Sequence, residues 1–309
     1  MEDILKVEGL VVRFGDKKVV DNVSFSVRRG EIFGLVGESG SGKSITSLSI
    51  IRLTPDNAEV EGSIVFDGKE ISKLPENEMR KIRGKDIALI TQNPHSAFNP
   101  VLRVGYQVIE PLLIHHGMKV KEAEKRAIDV FRDLGISEPE TRIKSYPHEL
   151  SGGMKQRAVI AISILTGAKL IIADEPTTAL DPTIASQILK LLRKLVDEDK
   201  KSMIFISHDI SAVGWISDRI GVMYGGWIVE MGNTREILKN PMHPYTKALI
   251  EAMPGRETKP KPIPGSPLDI SWSGCRFSKR CEFAKKECQQ KEPDMIEFNS
   301  RKVKCLFPL

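Results

Sequence analysis

The sequence predicts an α/β fold, and three observations support this. Residues 4–36 read as short strands rich in β-branched side chains, and "GSIVFDGKEI" (62–71) adds another with an Asp-Gly turn. Residues 119–135 ("KVKEAEKRAIDVFRDLG") place Ala123, Ala127, Phe131 and Leu134 on one helical face before a terminal glycine. "KLIIADE" and "SMIFISHD" are apolar runs that end in acidic residues, which is typical of buried parallel strands.

The composition limits the class of protein to which the chain can belong. The chain has 309 residues, of which 40% are hydrophobic and 28% charged, ordinary values for about two globular domains. The N-terminus "MEDILKVEGLVVRFG" is acidic and has no continuous apolar stretch, so we do not expect a signal peptide. The most apolar segment, 158–173, is interrupted by polar residues and is too short to span a membrane. We therefore expect a soluble chain whose membrane role, if it has one, comes through a partner.

The first chemical motif is "GESGSGKS", which fits G-x-x-x-x-G-K-[ST] between an apolar strand and a helical run. Its glycines let backbone N–H groups turn toward phosphates, its lysine supplies a positive charge, and its last serine is a ligand for Mg²⁺. The dipole of the following helix adds to this attraction for anions. The loop residues expected to bind a nucleotide are Gly37, Ser39, Gly40, Ser41, Gly42, Lys43 and Ser44.

The second motif is "LIIADE", which ends in Asp174 and Glu175. A carboxylate at the end of a parallel strand is where a residue associated with Mg²⁺ belongs, so Asp174 is the candidate ligand. Side chains alternate along a strand, so Glu175 points elsewhere and is the candidate general base for an attacking water. Together with the first motif, the pair indicates hydrolysis of a nucleoside triphosphate.

The third motif is "LSGGM" (150–154), followed by the helical pattern "KQRAVIAISILTGAK". Ser151 is placed to cap that helix, and Gly152 and Gly153 expose the N–H groups of its first turn. This predicts a second anion-binding turn about a hundred residues after the first. One ATP does not need two such turns from one chain. We therefore expect two chains to pair head to tail, with each ATP between the first motif of one chain and the third motif of the other.

These three motifs, in this order, resemble the ATP-binding-cassette (ABC) ATPase family over about residues 3–250. The resemblance implies a cassette fold with a RecA-like core, an antiparallel β subdomain and a helical subdomain at about 93–168. It also implies that Gln92 contacts Mg²⁺ or the water and that His208 lies beside the γ-phosphate. Asp181 resembles the aspartate that follows the catalytic strand, and Phe14 resembles the aromatic residue that stacks on adenine. Met154 departs from the glutamine of the general family pattern.

A narrower resemblance rests on "QNPHSAFNP", "SYPHELSGGMKQR", "PMHPYTKAL" and a cysteine-rich tail. These stretches are similar to the ATPase subunits of bacterial oligopeptide and dipeptide importers, which regularly carry methionine at the departing position. The resemblance implies a peripheral subunit at the cytoplasmic face of the membrane. Its partners would be two permeases, a second ATPase subunit and, indirectly, a peptide-binding protein, with no nucleic acid. Two alternatives stay open: a related importer of nickel or small solutes, and a soluble cassette ATPase that acts on RNA or ribosomes.

All four cysteines lie in the last 35 residues, and the first 274 residues contain none. The expected division is a nucleotide-binding domain at 1–253, a proline-rich linker at 254–267 and a cysteine-rich module at 268–309, which is too small to bury a good core unaided. The spacing of Cys275, Cys281, Cys288 and Cys305 has no C-x₂₋₄-C pair, which favours a [4Fe–4S] cluster over Zn²⁺ and leaves the absence of any metal open.

The charge is distributed unevenly along the chain. Residues 255–309 contain 12 Lys/Arg and 7 Asp/Glu, which accounts for the +5 net charge of the whole chain. A solvated surface is the simplest explanation, and binding of nucleic acid or anionic lipid is another. A third explanation is charge compensation around an anionic metal centre, because several of the basic residues flank the cysteines.

Overall fold

The computed structural model describes residues 2–93, 97–178, 180–253 and 260–309. The strands of this part of the chain are β1 (Asp3–Phe14), β2 (Lys17–Arg28), β3 (Ile32–Val36), β4 (Glu59–Phe66), β5 (Lys69–Glu70), β6 (Ile87–Ile90), β7 (Leu170–Asp174), β8 (Ser202–Ser207), β9 (Arg219–Tyr224), β10 (Trp227–Asn233), β11 (Met295–Phe298) and β12 (Arg301–Lys304). The α-helices are α1 (Lys43–Ile50), α2 (Glu76–Ile82), α3 (Val104–His116), α4 (Val120–Asp133), α5 (Pro139–Arg142), α6 (Gly152–Leu165), α7 (Pro182–Asp197), α8 (Ile210–Ile216), α9 (Thr234–Lys239), α10 (Pro244–Glu251) and α11 (Lys286–Gln290).

The chain divides into two compact units. Unit 1 combines residues 1–72 with residues 205–309, and unit 2 contains residues 73–204. Strand β8 contributes residues to both units. None of the helices in the described ranges is long and apolar enough to cross a membrane.

Unit 1 contains an antiparallel sheet with the strand order β2-β1-β4-β5. Along β1 the side chains of Leu5, Val7, Leu10 and Val12 are buried, which accounts for the apolar character of the first predicted strand. Strands β4 and β5 are joined by a turn in which Asp67 has a φ of 50° and Gly68 a φ of 78°. This is the Asp-Gly turn that the sequence predicts.

The second sheet of unit 1 carries the C-terminal strands. Strand β3 runs parallel to β9, β9 is antiparallel to β10, and β12 and β11 continue the antiparallel order beyond β10. All five residues of β3 are buried. Such burial is expected of a central parallel strand and accounts for its continuous apolar sequence.

Unit 2 contains the parallel pair β6 and β7 and most of the helices, α2 to α7. Helix α4 confirms the amphipathic pattern, because Ala123, Ala127 and Phe131 are all fully buried. The turn after it ends as predicted at Gly135, whose φ is 67°. Every residue of β7 is buried, as the apolar run before Asp174 predicts.

The α/β class is therefore confirmed, whereas a separate C-terminal module is not supported. Residues 260–309 belong to the same compact unit as the N-terminal strands. The physical reason is that a segment too small for its own core adds β12 to β10, pairing Val303 with Glu230 and Lys302 with Met231. Part of the predicted linker, residues 254–259, and residues 94–96 of the stretch "QNPHSAFNP" lie outside the described residues.

Candidate nucleotide-binding and catalytic site

The phosphate loop joins β3 to α1 in unit 1, and its glycines are required by its geometry. Gly40 and Gly42 have φ values of 79° and 104°, in a region that side chains disfavour. A Cβ atom on Gly37 would lie 2.1 Å from the carbonyl oxygen of Met223. The loop therefore packs against β9 at a distance that only glycine allows, and this fixes its backbone.

Lys43, the first residue of α1, is buried in this loop. Its Nζ atom donates hydrogen bonds to the carbonyl oxygens of Gly37, at 2.8 Å, and Glu38, at 3.0 Å. The N-cap residue of α1 is Gly42, so no side chain caps this helix. An ammonium group beside the positive end of a helix dipole favours an anion. Ser39, Gly40, Ser41 and Ser44 lie in the same loop or first helical turn, as predicted.

Glu175 follows β7 in unit 2 and is held by two donors. Thr178 Oγ1 and Gln92 Nε2 both donate to its Oε2 atom, at 2.8 and 3.2 Å. The backbone of Glu175 is left-handed, with a φ of 46°, and the residue is only 7% exposed. A non-glycine residue in this conformation is strained, and such strain concentrates at functional sites. Asp174, the last residue of β7, is also buried.

The Ser-Gly-Gly turn opens α6 in unit 2. Ser151 is the N-cap, and its hydroxyl accepts a hydrogen bond from the backbone N–H of Met154 at 3.3 Å. The structure therefore confirms the predicted cap. Ser151 is exposed, and Gly152, Gly153 and Met154 are half-buried. The turn thus presents the start of a helix at the surface of its unit.

Three further predicted residues lie at the ends of other elements. Asp181 caps α7 by accepting hydrogen bonds from the N–H groups of Thr183 and Ile184, at 3.1 and 3.0 Å. His208 is exposed and follows β8. Phe14 ends β1 and is half-buried. The nucleotide contacts of these residues stay predictions.

The four cysteines lie at one place in unit 1, where all of them line one small cavity beside Phe277, Phe283 and Phe307. None of them forms a disulfide. Burial raises the pKa of the Cys275 and Cys281 thiols to about 11. Backbone hydrogen bonds oppose this rise, and the neighbouring cysteines add to it. Within the described ranges, no group of three or more His, Cys, Asp or Glu side chains is arranged to hold a metal ion. The structure thus brings the four thiols together but shows no metal-binding group.

Several residues that fix the side chains or the backbone of the site were not predicted from the sequence. Thr178 orients Glu175, and the hydroxyl of Tyr245 accepts the backbone N–H of Glu38 at 2.8 Å. Arg280 binds the carboxylate of Glu38 through both of its Nη atoms, at 2.7 and 2.9 Å. The glutamate in the phosphate loop could have indicated such a partner, because a negative charge in a loop that binds phosphates needs a positive charge to neutralise it. The partner lies 242 positions away and has no local signature.

Comparison with known proteins agrees with this geometry. The family described as "ABC transporter" matches residues 20–178, and "Oligopeptide/dipeptide transporter, C-terminal region" matches residues 229–288. The chain is 43% identical to a dipeptide transport ATP-binding protein of Haemophilus influenzae, over 99% of this chain and 96% of the relative. It is 42% identical to an oligopeptide transport ATP-binding protein of Bacillus subtilis, over 99% of this chain and 97% of that relative.

Two solved structures are similar as well. One is a dimer of the ATP-binding cassette MJ0796 in a post-hydrolysis state with ADP and Pi, with a TM-score of 0.67 and 28% identity over 75% of this chain and 99% of that chain. The other is CbiO1 from Clostridium perfringens, part of the transporter complex CbiONQ, with a TM-score of 0.66 and 28% identity over 77% and 92%. The cassette fold is thereby confirmed. The chain belongs to the ABC transporter family and is an ATP hydrolase of the cassette type.

Proposed function

We propose that this chain is the ATP-hydrolysing subunit that powers uptake of dipeptides or oligopeptides through a pair of membrane permeases. Support comes from the relatives, whose names specify dipeptide and oligopeptide transport and which align over nearly the full chain. The match of the C-terminal region to the peptide-transporter family adds to it. The chain would act at the cytoplasmic face of the membrane as a peripheral subunit.

The arrangement around Glu175 carries the catalytic part of the proposal. Gln92 and Thr178 both donate to one oxygen of its carboxylate, which fixes the orientation of the group. A carboxylate held in this way can accept a proton from an attacking water. Hydrolysis then needs little covalent chemistry from the protein, because phosphoryl transfer depends mainly on position and charge. We assign Glu175 as the general base and Gln92 as the residue that positions the water.

The phosphate-binding part of the mechanism depends on the loop of unit 1. Its backbone surrounds the phosphates, Lys43 neutralises their charge, and Phe14 stacks on the adenine. The Ser44 hydroxyl, the Asp174 carboxylate and the Gln92 amide are the Mg²⁺ ligands that the resemblance implies, since Mg²⁺ prefers oxygen ligands. His208 contacts the γ-phosphate in this assignment. Mg²⁺ supplies charge neutralisation of the phosphate oxygens when it is bound.

A second cassette completes the site in this proposal. The Ser151-Gly152-Gly153 turn of one chain would bind the phosphates held by the loop of the other, with Asp181 at the same contact. The dimeric form of the similar cassette supports such pairing. ATP binding would close the pair and hydrolysis would release it, which transmits the cycle to the permeases. The partner cassette is a second copy or a homologous subunit.

We further propose that residues 268–309 form a functional segment with a metal centre, a [4Fe–4S] cluster or alternatively Zn²⁺, distinct from the nucleotide-binding residues 1–253 and joined to them by 254–267. Four thiols around one cavity are the usual donor set of such a cluster. Among the described residues no group of three or more potential ligand side chains is arranged around a metal position, so the proposal rests on the shared cavity and on the donor set. The centre would stabilise the fold of this segment.

Metal analysis of protein purified without oxygen tests the centre. Iron and acid-labile sulfide of about four each per chain, with a brown chromophore, would establish the cluster. A colourless protein with one zinc would support the alternative, and a metal-free protein would refute both. A Cys281→Ser variant is the matched control, because it should lose the metal while retaining the ATP-binding residues.

Transport in cells lacking this subunit tests the function. Uptake of a labelled di- or tripeptide should return with the wild-type chain and not with Glu175→Gln. Rescue of Ni²⁺ uptake without peptide uptake would identify the related small-solute importer instead. Binding of the purified chain to RNA in a salt-dependent manner, with no transport phenotype, would favour the soluble class.

A further inference from the structure

A glutamate lies inside the phosphate loop, directly after Gly37. Its carboxylate carries a negative charge in the segment that binds a triphosphate. A negative charge in this loop that was not neutralised would repel the phosphates and weaken ATP binding. The structure shows how this charge is neutralised.

Arg280 forms a two-pronged ion pair with Glu38. The distances from its two Nη atoms to the carboxylate oxygens are 2.7 and 2.9 Å. The Arg280 side chain is 1% exposed, and that of Glu38 is 19% exposed. The Nε atom of Arg280 donates to the carbonyl oxygen of Pro264 at 2.6 Å, and the guanidinium group lies 5.6 Å from the centre of the Tyr224 ring. Arg280 is therefore fixed in position by groups on several sides.

The backbone of Glu38 is held by separate contacts. Its N–H donates to the hydroxyl of Tyr245 at 2.8 Å, and its carbonyl oxygen accepts a hydrogen bond from Lys43 at 3.0 Å. The loop residue that Arg280 neutralises thus also contacts the lysine of the motif. A change in the position of Glu38 would be passed directly to Lys43.

A neighbouring arginine fixes the same loop through a turn. Arg276 donates to the carbonyl oxygen of Gly225 and pairs with Asp21 at 2.6 Å. The next residue of that turn, Gly226, donates its N–H to the carbonyl oxygen of Ser41 at 2.9 Å. Both arginines belong to the short segment between Cys275 and Cys281. This segment therefore contacts the phosphate loop directly at Glu38, and the turn that Arg276 holds contacts it at Ser41.

We propose that Arg280 is a positioning residue for ATP binding, which neutralises Glu38 and holds the phosphate loop in its binding geometry from the C-terminal segment. Burial alone would favour loss of the proton, but the hydrogen bonds and the charge of Glu38 hold the pKa of Arg280 above its ordinary value. The arginine therefore offers Glu38 a positive charge as well as hydrogen bonds, and we expect its loss to weaken ATP binding.

The test is the dissociation constant of the full-length chain for ATP, measured with the wild type and four variants. Arg280→Gln should weaken binding about tenfold, because it leaves the charge of Glu38 without its ion-pair partner in the loop that binds the phosphates. The double variant Glu38→Gln/Arg280→Gln should regain most of this loss, since the repelling charge is gone. Such rescue would not occur if Arg280 only stabilised the fold.

The matched control is Arg301→Gln. Arg301 is half-buried in the C-terminal segment, and its guanidinium group donates to the carboxylate of Glu230 and the carbonyl oxygen of Asn240, neither of which belongs to the phosphate loop. Its ATP dissociation constant should stay within about twofold of the wild type, although its melting temperature falls. Arg280→Lys retains the positive charge and should bind ATP within about threefold of the wild type. If Arg280→Gln does not fold, the ATP affinity of Arg280→Lys is measured in its place.

Three results would overturn the proposal. The first is wild-type affinity in Arg280→Gln. The second is a double variant that binds ATP as weakly as Arg280→Gln. The third is an equal loss of affinity in Arg301→Gln, which would show that any weakening of the C-terminal segment has the same effect.

Discussion

The two turns that the sequence predicts to bind anions differ in how they are supported. The phosphate loop is buried at Gly37, Ser41 and Lys43, the last two of which are 4% exposed, while Ser39 and Gly40 at its tip are exposed. Its Gly37 packs against the backbone of β9, and its Glu38 is fixed by Arg280. The Ser-Gly-Gly turn is exposed at Ser151, and the one contact described for that side chain is the cap of its own helix.

One turn is therefore held in place by contacts within its own unit, whereas the other lies accessible at the surface of its unit, as the proposed pairing of two chains requires. A loop fixed by buried contacts can bind phosphates as a preformed site. An exposed helix start is suited to a surface that forms only when a second chain approaches. The comparison agrees with a site shared between two chains, and four variants can sharpen or refute it.

Glu175→Gln should have the largest effect. Loss of the general base is expected to lower kcat by about 10²–10⁴-fold, while ATP binding persists. If the exposed turn closes on a partner, blocked hydrolysis should trap the pair, so the variant with ATP should elute as a dimer in size-exclusion chromatography. Phosphate release and elution volume are the two measurements.

The control for this prediction is Glu140→Gln, which changes an exposed glutamate paired with Arg132. It should hydrolyse ATP at the wild-type rate. Near-normal turnover of Glu175→Gln would refute the assignment of the base. A slow variant that stays monomeric with ATP would instead argue against the shared site.

Gly37→Ala and Gly153→Ala compare the two turns directly. The added methyl group on Gly37 meets a backbone oxygen at 2.1 Å, so we expect ATP affinity to fall about tenfold to a hundredfold. On Gly153 it would meet Ile184 Cγ2 at 3.2 Å, a side chain that can shift slightly. The isolated Gly153→Ala chain should therefore bind ATP within about twofold of the wild type, and similar losses in both variants would contradict the comparison.

Ser151→Ala should have the smallest effect on the single chain. Removing the N-cap is expected to lower the free energy of unfolding by about 1 kcal/mol, measured by denaturant titration. ATP affinity of the monomer should be retained, and the ATP-dependent dimer should weaken. Ser137→Ala, which changes an exposed serine in the same unit, is the control and should alter neither property.

Much of the fold could be predicted because its signals are local. The apolar run of β7 and the face formed by Ala123 and Phe131 follow from periodicity alone. The placement of β11 and β12 could not be predicted in this way. Both strands are short, and β11 is exposed. They are ordered because β12 pairs with β10, about seventy residues earlier in the chain, and β11 pairs with β12.

The site shows the same division. The phosphate loop and the Ser151 cap follow from motifs with fixed spacing, so the sequence was sufficient to find them. The pair between Glu38 and Arg280 depends on how unit 1 brings its first and last segments together. The contact between Thr178 and Glu175 depends on the left-handed backbone of Glu175 after β7. A glutamate does not indicate this conformation in a sequence.

The pairing of β12 with β10 has a consequence for any shortened form of the protein. A chain that ended at residue 253 would lose β12, and with it the partner of Glu230 and Met231 along β10. The exposed N–H and carbonyl groups of that strand would then be a template for another sheet. Such a fragment should aggregate even if its nucleotide-binding residues are all present, so the tail also protects the chain from self-association.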